Sequence, residues 1–92
     1  MWILQGSETT FRLCSGAVKT VGRAARADFV VDAALVSRVH CRLTATDDRL
    51  EVVDLKSTNG TFVNGKRVTQ AHLSAGDRLR VGRVELRINK KT

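Results

Sequence analysis

Residues 60–68 read GTFVNGKRV, two short segments rich in β-branched and apolar residues on either side of Asn64-Gly65. The Asn-Gly dipeptide readily takes positive φ at both central positions of a type I′ turn, and the twist of that turn suits two paired strands. This stretch therefore predicts a β-hairpin. Short apolar segments divided by turn residues continue from this hairpin toward both ends of the chain.

Alternating residues and short apolar runs between turn residues dominate the rest of the chain, and helical periodicity is hard to find. Residues 77–88 (DRLRVGRVELRI) predict a second hairpin. Further strand candidates are MWIL (1–4), TFRLC (10–14), AVKTVG (17–22), ADFVVD (27–32), VHCRLTA (39–45) and RLEVVDL (49–55). Only DAALVSR (32–38) could form a helical turn, and we expect a loop there. About ten short strands predict an all-β sandwich or barrel in one domain.

The composition is that of a soluble globular chain. Its 92 residues are 42% hydrophobic and 27% charged, with no proline. No apolar run approaches the length of a membrane span, and the start MWILQG is too short for a signal peptide. Cys14 and Cys41 lack metal-type spacing, and we expect two buried thiols in a reducing, intracellular compartment.

The net charge of +7 is unevenly distributed. From Lys66 onward the chain has eight Lys and Arg residues against Asp77 and Glu85. A basic face attracts polyanions such as nucleic acid, an acidic peptide or phosphate groups. A solvated strand face followed by a tail explains the same pattern, and both interpretations stay open at this point.

Ser37 and His40 invite a test for catalysis. At i and i+3 along an extended segment they point to opposite faces, although a turn before the strand could bring them together. No G-x-S-x-G nucleophile elbow is present, and His72 falls in a polar connector. His40, Cys41, Cys14 and His72 show no ligand spacing for a metal. We therefore expect no enzyme, no metal site and no cofactor.

Three predicted loops carry residues suited to binding a phosphate. Gly22-Arg23 ends a strand with a flexible glycine and a planar guanidinium. Ser37-Arg38 supplies a hydroxyl and a second guanidinium. Residues 57–60 (STNG) supply hydroxyls, a carboxamide and a glycine that can adopt the left-handed backbone conformation. Loops on a rigid sandwich are where such folds keep their binding residues.

The whole series of motifs resembles the forkhead-associated (FHA) domain family. It runs in order through GR (22–23), SRVH (37–40), STNGT (57–61) and NG (64–65), and ends in LSAGDRLRVG (73–82). The resemblance implies a sandwich of about eleven short, mostly antiparallel strands, with binding loops at one apex that hold phosphothreonine peptides. The expected domain covers residues 1–89, with 90–92 as a tail or the start of a linker.

The resemblance also implies roles for individual residues. Those expected to contact the phosphopeptide are Arg23, Ser37, Arg38, Thr58 and Asn59. Those expected to support the site are Gly22, His40, Ser57 and Gly60, with His40 bracing the serine loop rather than reacting. Those expected to influence peptide choice are Leu35, Val36 and Arg83.

The predicted function is phosphothreonine-dependent binding of a protein or peptide, without a membrane and with no indication of a homo-oligomer. The alternatives are an FHA-fold scaffold with phosphorylation-independent contacts and a basic nucleic-acid-binding β domain. The latter lacks stacking support, because Trp2 and the three phenylalanines are expected in the core. The domain placed directly after MW is similar to nibrin-like DNA-damage proteins, which implies a nuclear location, whereas bacterial signalling FHA proteins imply the cytoplasm.

Overall fold

The computed structural model describes residues 1–91 and contains eleven β-strands. They are β1 (Trp2–Gln5), β2 (Thr10–Leu13), β3 (Val18–Gly22), β4 (Phe29–Val30), β5 (Cys41–Ala45), β6 (Leu50–Asp54), β7 (Thr61–Val63), β8 (Lys66–Val68), β9 (Gln70–Leu73), β10 (Arg78–Val81) and β11 (Val84–Lys90). Residues 32–38 form a loop, as expected. Within residues 1–91 no helix is long and apolar enough to cross a membrane.

The strands form two sheets. One has six strands in the order β2-β1-β11-β10-β7-β8, and the other has five in the order β4-β3-β5-β6-β9. The pairs are antiparallel except for β3 with β4. The predicted all-β sandwich of about eleven mostly antiparallel strands is confirmed.

Local turn chemistry fixes the two predicted hairpins. Asn64 and Gly65 both have positive φ, 51° and 82°, so β7 and β8 are joined as a type I′ turn requires. β10 and β11 pair through Gly82, whose φ is 58°. Since successive side chains alternate between faces, the apolar residues of this hairpin enter the core and its charged residues point outward.

The core lies between the two sheets. It is filled by aliphatic side chains with almost no solvent exposure, contributed by both sheets: Leu4, Leu13, Val21, Leu43, Leu50, Val52, Leu79, Val81, Leu86 and Ile88. Trp2 is also buried, and its indole N–H donates to the carbonyl of Thr46 at 2.9 Å. Because the inner faces of the two sheets pack against each other, the loops at the ends of the strands remain available to form a site.

Three expectations about side chains were wrong. Of the aromatic residues expected in the core, Phe62 is only partly buried, and its ring packs against the Arg80 guanidinium instead. His72 lies in strand β9 rather than in a connector, although its side chain is exposed. β9 is an edge strand paired only with β6, so only Ala71 and Leu73 turn toward the core and the apolar pattern is weak. Cys14 is exposed just after β2, and only Cys41 of the two thiols is buried.

Candidate functional site

Three loops meet at one end of the sandwich around a cleft of about 630 Å³. They are the β3–β4 and β4–β5 loops, which connect strands of the five-stranded sheet, and the β6–β7 loop, which connects that sheet to the six-stranded one. The residues lining the cleft are Arg23, Arg26, Ala34, Leu35, Val36, Ser37, Arg38, Val39, Lys56, Thr58 and Asn59. The three predicted phosphate-binding loops are therefore the loops that form it.

Gly22 allows the first two loops to cross in close contact. The N–H of Arg23 donates to the carbonyl of Ser37 at 2.9 Å, and the N–H of Ala24 donates to the carbonyl of Arg38 at 3.1 Å. A Cβ on Gly22 would lie 2.1 Å from the Arg38 carbonyl oxygen, a backbone atom that cannot move aside. Glycine at position 22 is what brings Arg23 beside Ser37 and Arg38.

His40 joins the β4–β5 loop, which carries Ser37, to the β6–β7 loop, which carries the STNG residues 57–60. Its ring is fully buried, Nδ1 accepts the backbone N–H of Ser37 at 3.0 Å, and Nε2 lies 2.8 Å from the carbonyl oxygen of Gly60. With Nδ1 accepting, the proton belongs on Nε2, which donates to Gly60. The hydroxyl oxygen of Ser37 instead accepts the backbone N–H of Thr58 at 3.0 Å. His40 is thus positioned as a brace between loops.

Asp54, which sequence reasoning did not single out, organises the β6–β7 loop. Its Oδ1 accepts the hydroxyls of Ser57 at 2.5 Å and Thr61 at 2.7 Å, and its Oδ2 accepts the Ser57 N–H at 3.2 Å. Ser57 Oγ in turn accepts the N–H of Gly60 at 3.0 Å. Partial burial opposes ionisation of Asp54, but the hydrogen bonds from Ser57 and Thr61 outweigh it and lower the pKa below its ordinary value.

Asn59 and two left-handed residues shape the mouth of the cleft. The carboxamide of Asn59 donates to the carbonyl of Leu35 at 3.0 Å, which ties the third loop to the second. Leu35 has φ of 71° and Lys56 has φ of 57°, in a region that non-glycine residues seldom adopt. Leu35 is 46% exposed, so an apolar side chain faces solvent at the edge of the cleft.

The cleft is strongly basic. Its lining includes Arg23, Arg26, Arg38 and Lys56 but no Asp or Glu. The ion pairs found within residues 1–91 lie elsewhere, joining His72 to Glu51 and Arg78 to Glu85. Arg26 and Lys56 were not anticipated. Their only sequence signal is proximity, since one follows Gly22-Arg23 by three residues and the other immediately precedes STNG.

The residues predicted to contact a phosphopeptide all line this cleft: Arg23, Ser37, Arg38, Thr58 and Asn59. Of those predicted to influence peptide choice, Leu35 and Val36 line it, with Val36 almost fully buried. Arg83 does not line it. Its neighbour Gly82 does pack against this wall, because a Cβ there would lie 3.0 Å from the Ala34 carbonyl oxygen.

The two cysteines considered as metal ligands differ in exposure. Cys14 is exposed beyond β2, and Cys41 is buried at the start of β5. Burial, and secondarily the charge of Asp54, raises the pKa of Cys41 to about 12, so its thiol stays protonated. Among the described residues no group of three His, Cys, Asp or Glu is placed to hold a metal ion.

The chain belongs to the FHA domain family, since the family profile matches residues 19–82. An ABC transporter ATP-binding/permease protein of Mycobacterium tuberculosis is 43% identical over 94% of the chain, which spans 10% of that protein. The oxoglutarate dehydrogenase inhibitor of Corynebacterium diphtheriae is 39% identical over 73% of the chain, and the glycogen accumulation regulator GarA of M. tuberculosis is 35% identical over 80%. The chain spans just under half the length of the last two proteins.

Solved structures agree with this assignment. A chain from a study of phosphothreonine-dependent FHA domain interactions has a TM-score of 0.91 at 31% identity and covers 99% of the chain and 97% of its own length. The FhaA FHA domain complexed with the intracellular domain of Rv3910 has a TM-score of 0.89 at 32% identity, covering 97% and 100%. The predicted FHA fold is confirmed, and the expected class of function, phosphothreonine-dependent binding, is the one named for the first of these structures. The relatives described here are bacterial and give no support to the nibrin resemblance.

Proposed function

We propose that the chain binds phosphothreonine peptides in the cleft between its three loops, with Arg23, Ser37 and Arg38 as ligands of the phosphate. The observation that carries this assignment is the convergence of these three side chains with Thr58 on one basic cleft that has no lining carboxylate. The hydrogen bonds of His40, Asp54 and Asn59 hold the loops in that arrangement before any ligand arrives.

The chemistry of the cleft suits a phosphate. A phosphothreonine carries a charge of about −1.5 to −2 and three strong acceptor oxygens. Guanidinium groups bind such oxygens through paired, charge-assisted hydrogen bonds. The Ser37 oxygen accepts the Thr58 N–H, so the hydroxyl proton of Ser37 can be donated outward to the ligand.

Thr58 and Asn59 complete the proposed binding surface. Thr58 lies exposed beside Ser37, where it can contact the phosphate or the threonine methyl group of the ligand. Asn59 uses its amide nitrogen on Leu35, and its carboxamide oxygen is available to the peptide backbone. With these contacts the domain would bind both the phosphate and the backbone of the peptide that carries it.

The pathway that we propose is phosphorylation-dependent regulation in a bacterial cytoplasm. The relatives that support it are named as an enzyme inhibitor and as a regulator of glycogen accumulation, both from bacteria. We favour it over a nuclear DNA-damage role. The partner is a protein phosphorylated on threonine.

Calorimetry tests the proposal. A phosphothreonine peptide selected from an oriented library would be titrated against the chain beside its unphosphorylated and phosphoserine versions. We expect binding only when threonine is phosphorylated, and Arg23→Ala should weaken it by more than about tenfold, since losing a charge-assisted contact costs roughly 2–5 kcal/mol. Arg49→Ala, in the β5–β6 turn at the other end of β5, is the matched control. Equal affinity for the phosphorylated and unphosphorylated peptides would exclude the proposed function and favour a phosphorylation-independent scaffold.

A further inference from the structure

We propose that a groove on the outer face of the six-stranded sheet binds an acidic segment of a partner protein, with Arg78 and Arg87 as the main contacts to its carboxylates. The groove is separate from the phosphothreonine cleft, so the inference goes beyond the proposed function and does not depend on it. We call this surface the arginine groove. Its lining residues are Asn64, Gly65, Gly76, Arg78, Arg80 and Glu85.

The arginine groove has a defined place and shape. It extends from the β7–β8 and β9–β10 turns along the outside of β10 and β11, has a volume of about 500 Å³, and shares no lining residue with the cleft. Asn64 fixes the turns at its end, because its side-chain oxygen accepts the Arg78 N–H at 2.9 Å and its amide donates to Asp77 at 3.1 Å. The groove is therefore held open by the fold itself.

The charges of the arginine groove are unbalanced. Arg78 and Arg87 are directly opposite each other on β10 and β11, and Arg80 is opposite Glu85. Glu85 lies 3.6 Å from the Nε of Arg78, whereas Arg87 forms no ion pair among residues 1–91. Like charges directly opposite each other destabilise paired strands. A carboxylate placed between Arg78 and Arg87 would relieve that repulsion and pair with both guanidinium groups.

The cations are of the type that protein interfaces use. All three are arginines, whose planar donors match a carboxylate in paired hydrogen bonds and which are enriched in interfaces where lysine is depleted. Arg80 is held in place, since its guanidinium stacks 4.0 Å from the centre of the Phe62 ring and donates to the Gly82 carbonyl at 3.1 Å. The side chain of Arg78 is 62% exposed and accessible to a ligand. A rigid arginine beside accessible ones lowers the entropy cost of binding.

The groove favours an acidic polypeptide over a nucleic acid. Glu85 lines it and would repel a backbone that carries a phosphate on every nucleotide, whereas a peptide can place an uncharged residue there. Single-stranded nucleic acids also depend on bases stacked on aromatic rings. The Phe62 ring beside the groove is already covered by Arg80. The ligand that fits is a segment in which Asp or Glu residues are separated by neutral ones.

Fluorescence anisotropy at low salt tests the inference. The probe is a labelled peptide of about twelve residues in which Glu alternates with Ser, long enough to cross the sheet when extended. Its Gln-for-Glu version and a thymidine oligonucleotide of the same number of units are the comparison ligands. The protein variants are Arg78→Ala/Arg87→Ala and Glu85→Gln, all at exposed positions. Arg42→Ala/Arg49→Ala, which removes the same charge from exposed positions outside the groove, is the matched control.

We expect the acidic peptide to bind and its neutral version not to bind. Arg78→Ala/Arg87→Ala should weaken binding at least about fivefold, since two ion pairs are lost, whereas the control should change it by less than about twofold. Glu85→Gln should strengthen binding, because it removes the carboxylate that competes for Arg78. Phosphothreonine-peptide affinity should be the same in Arg78→Ala/Arg87→Ala as in the unmodified chain.

Four results would overturn the inference. The first is no binding of the acidic peptide, and the second is an equal loss in Arg78→Ala/Arg87→Ala and the control, which would assign binding to net charge. The third is a greater loss in Arg23→Ala/Arg38→Ala than in Arg78→Ala/Arg87→Ala, which would place the peptide in the cleft. The fourth is tighter, groove-dependent binding of the oligonucleotide, which would identify the surface as a nucleic-acid site.

Discussion

His40 occupies the centre of the contact between the two loops that present Ser37 and Thr58. Both of its ring nitrogens are engaged, one by the Ser37 backbone and the other by the Gly60 carbonyl. Neither nitrogen is left to take a proton from the Ser37 hydroxyl, which general-base catalysis would require. The serine and histidine of SRVH are therefore neighbours in a scaffold, and the serine faces the cleft.

Replacing His40 by alanine should destabilise the fold and loosen the cleft. The Ser37 N–H and the Gly60 carbonyl would lose their partner, and the missing ring would leave a cavity, so we expect a loss of about 2–5 kcal/mol in the free energy of unfolding. Urea denaturation measures it, with His72→Ala on the exposed edge strand as the control. Phosphothreonine-peptide affinity should fall as well. Full affinity in folded His40→Ala would show that the loops do not need this brace.

The β6–β7 loop is held in shape by a side chain that lies outside the cleft lining. Asp54 ends β6 and receives three hydrogen bonds from Ser57 and Thr61. These bonds favour the charged carboxylate and lower its pKa in the folded protein. A lowered folded-state pKa means that ionised Asp54 adds stability at pH values above the unfolded-state pKa of about 3.9.

Asp54→Asn should therefore reduce stability in a pH-dependent way. Near neutral pH the variant lacks the charge-assisted bonds to Ser57 and Thr61, and we expect it to be less stable by about 1–3 kcal/mol. As the pH falls below about 4 and through the folded-state pKa, the wild-type protein loses this contribution and the difference should shrink. Urea denaturation across this pH range measures the effect, with Asp47→Asn in the exposed β5–β6 turn as the control. A difference that does not change with pH would contradict the assignment.

At the element scale, the sequence predicted the structures that local chemistry decides. The β7–β8 and β10–β11 hairpins follow from Asn64-Gly65 and from the alternation around Gly82, both of which act within a few residues. Strand β9 was missed because its assignment depends on pairing with β6, which is distant in sequence. Gly22 could be recognised as a turn residue, but the carbonyl of Arg38 that requires a glycine there is a tertiary contact.

The residues of the candidate site also divide into those that local motifs predict and those that depend on tertiary contacts. Arg23, Ser37 and Asn59 could be predicted because they stand in motifs with a known order. Arg26 and Lys56 could not, because their position in the cleft depends on how loops that are distant in sequence come together. Asp54 was missed for a related reason, since its acceptor role depends on the turn that places Ser57 and Thr61 around it.

For the whole molecule, the charge pattern separates into two regions. The cations of the cleft come from the first two thirds of the chain, whereas four of the eight basic residues counted from Lys66 onward lie on the outer face of the six-stranded sheet. Cross-strand register places on that face Arg12, Arg67, Arg78, Arg80 and Arg87, with Glu85 as the acidic residue among them. Arg80 is stacked over the Phe62 ring at 4.0 Å and donates to the Gly82 carbonyl. The basic C-terminal hairpin is thus separate from the cleft.

Arg78 and Arg87 are directly opposite each other on β10 and β11. Like charges in that position are destabilising, and opposite charges stabilise a pair by about 0.2–1 kcal/mol. Arg87→Glu should therefore raise the free energy of unfolding by about that amount at low salt, and the gain should fade as salt screens the exposed pair. Arg42→Glu is the matched control, since it makes the same change in net charge on β5, where its cross-strand partners are the uncharged Thr20 and Val53. An equal gain in both variants, measured by urea denaturation, would assign the effect to the net charge of the molecule rather than to the pair.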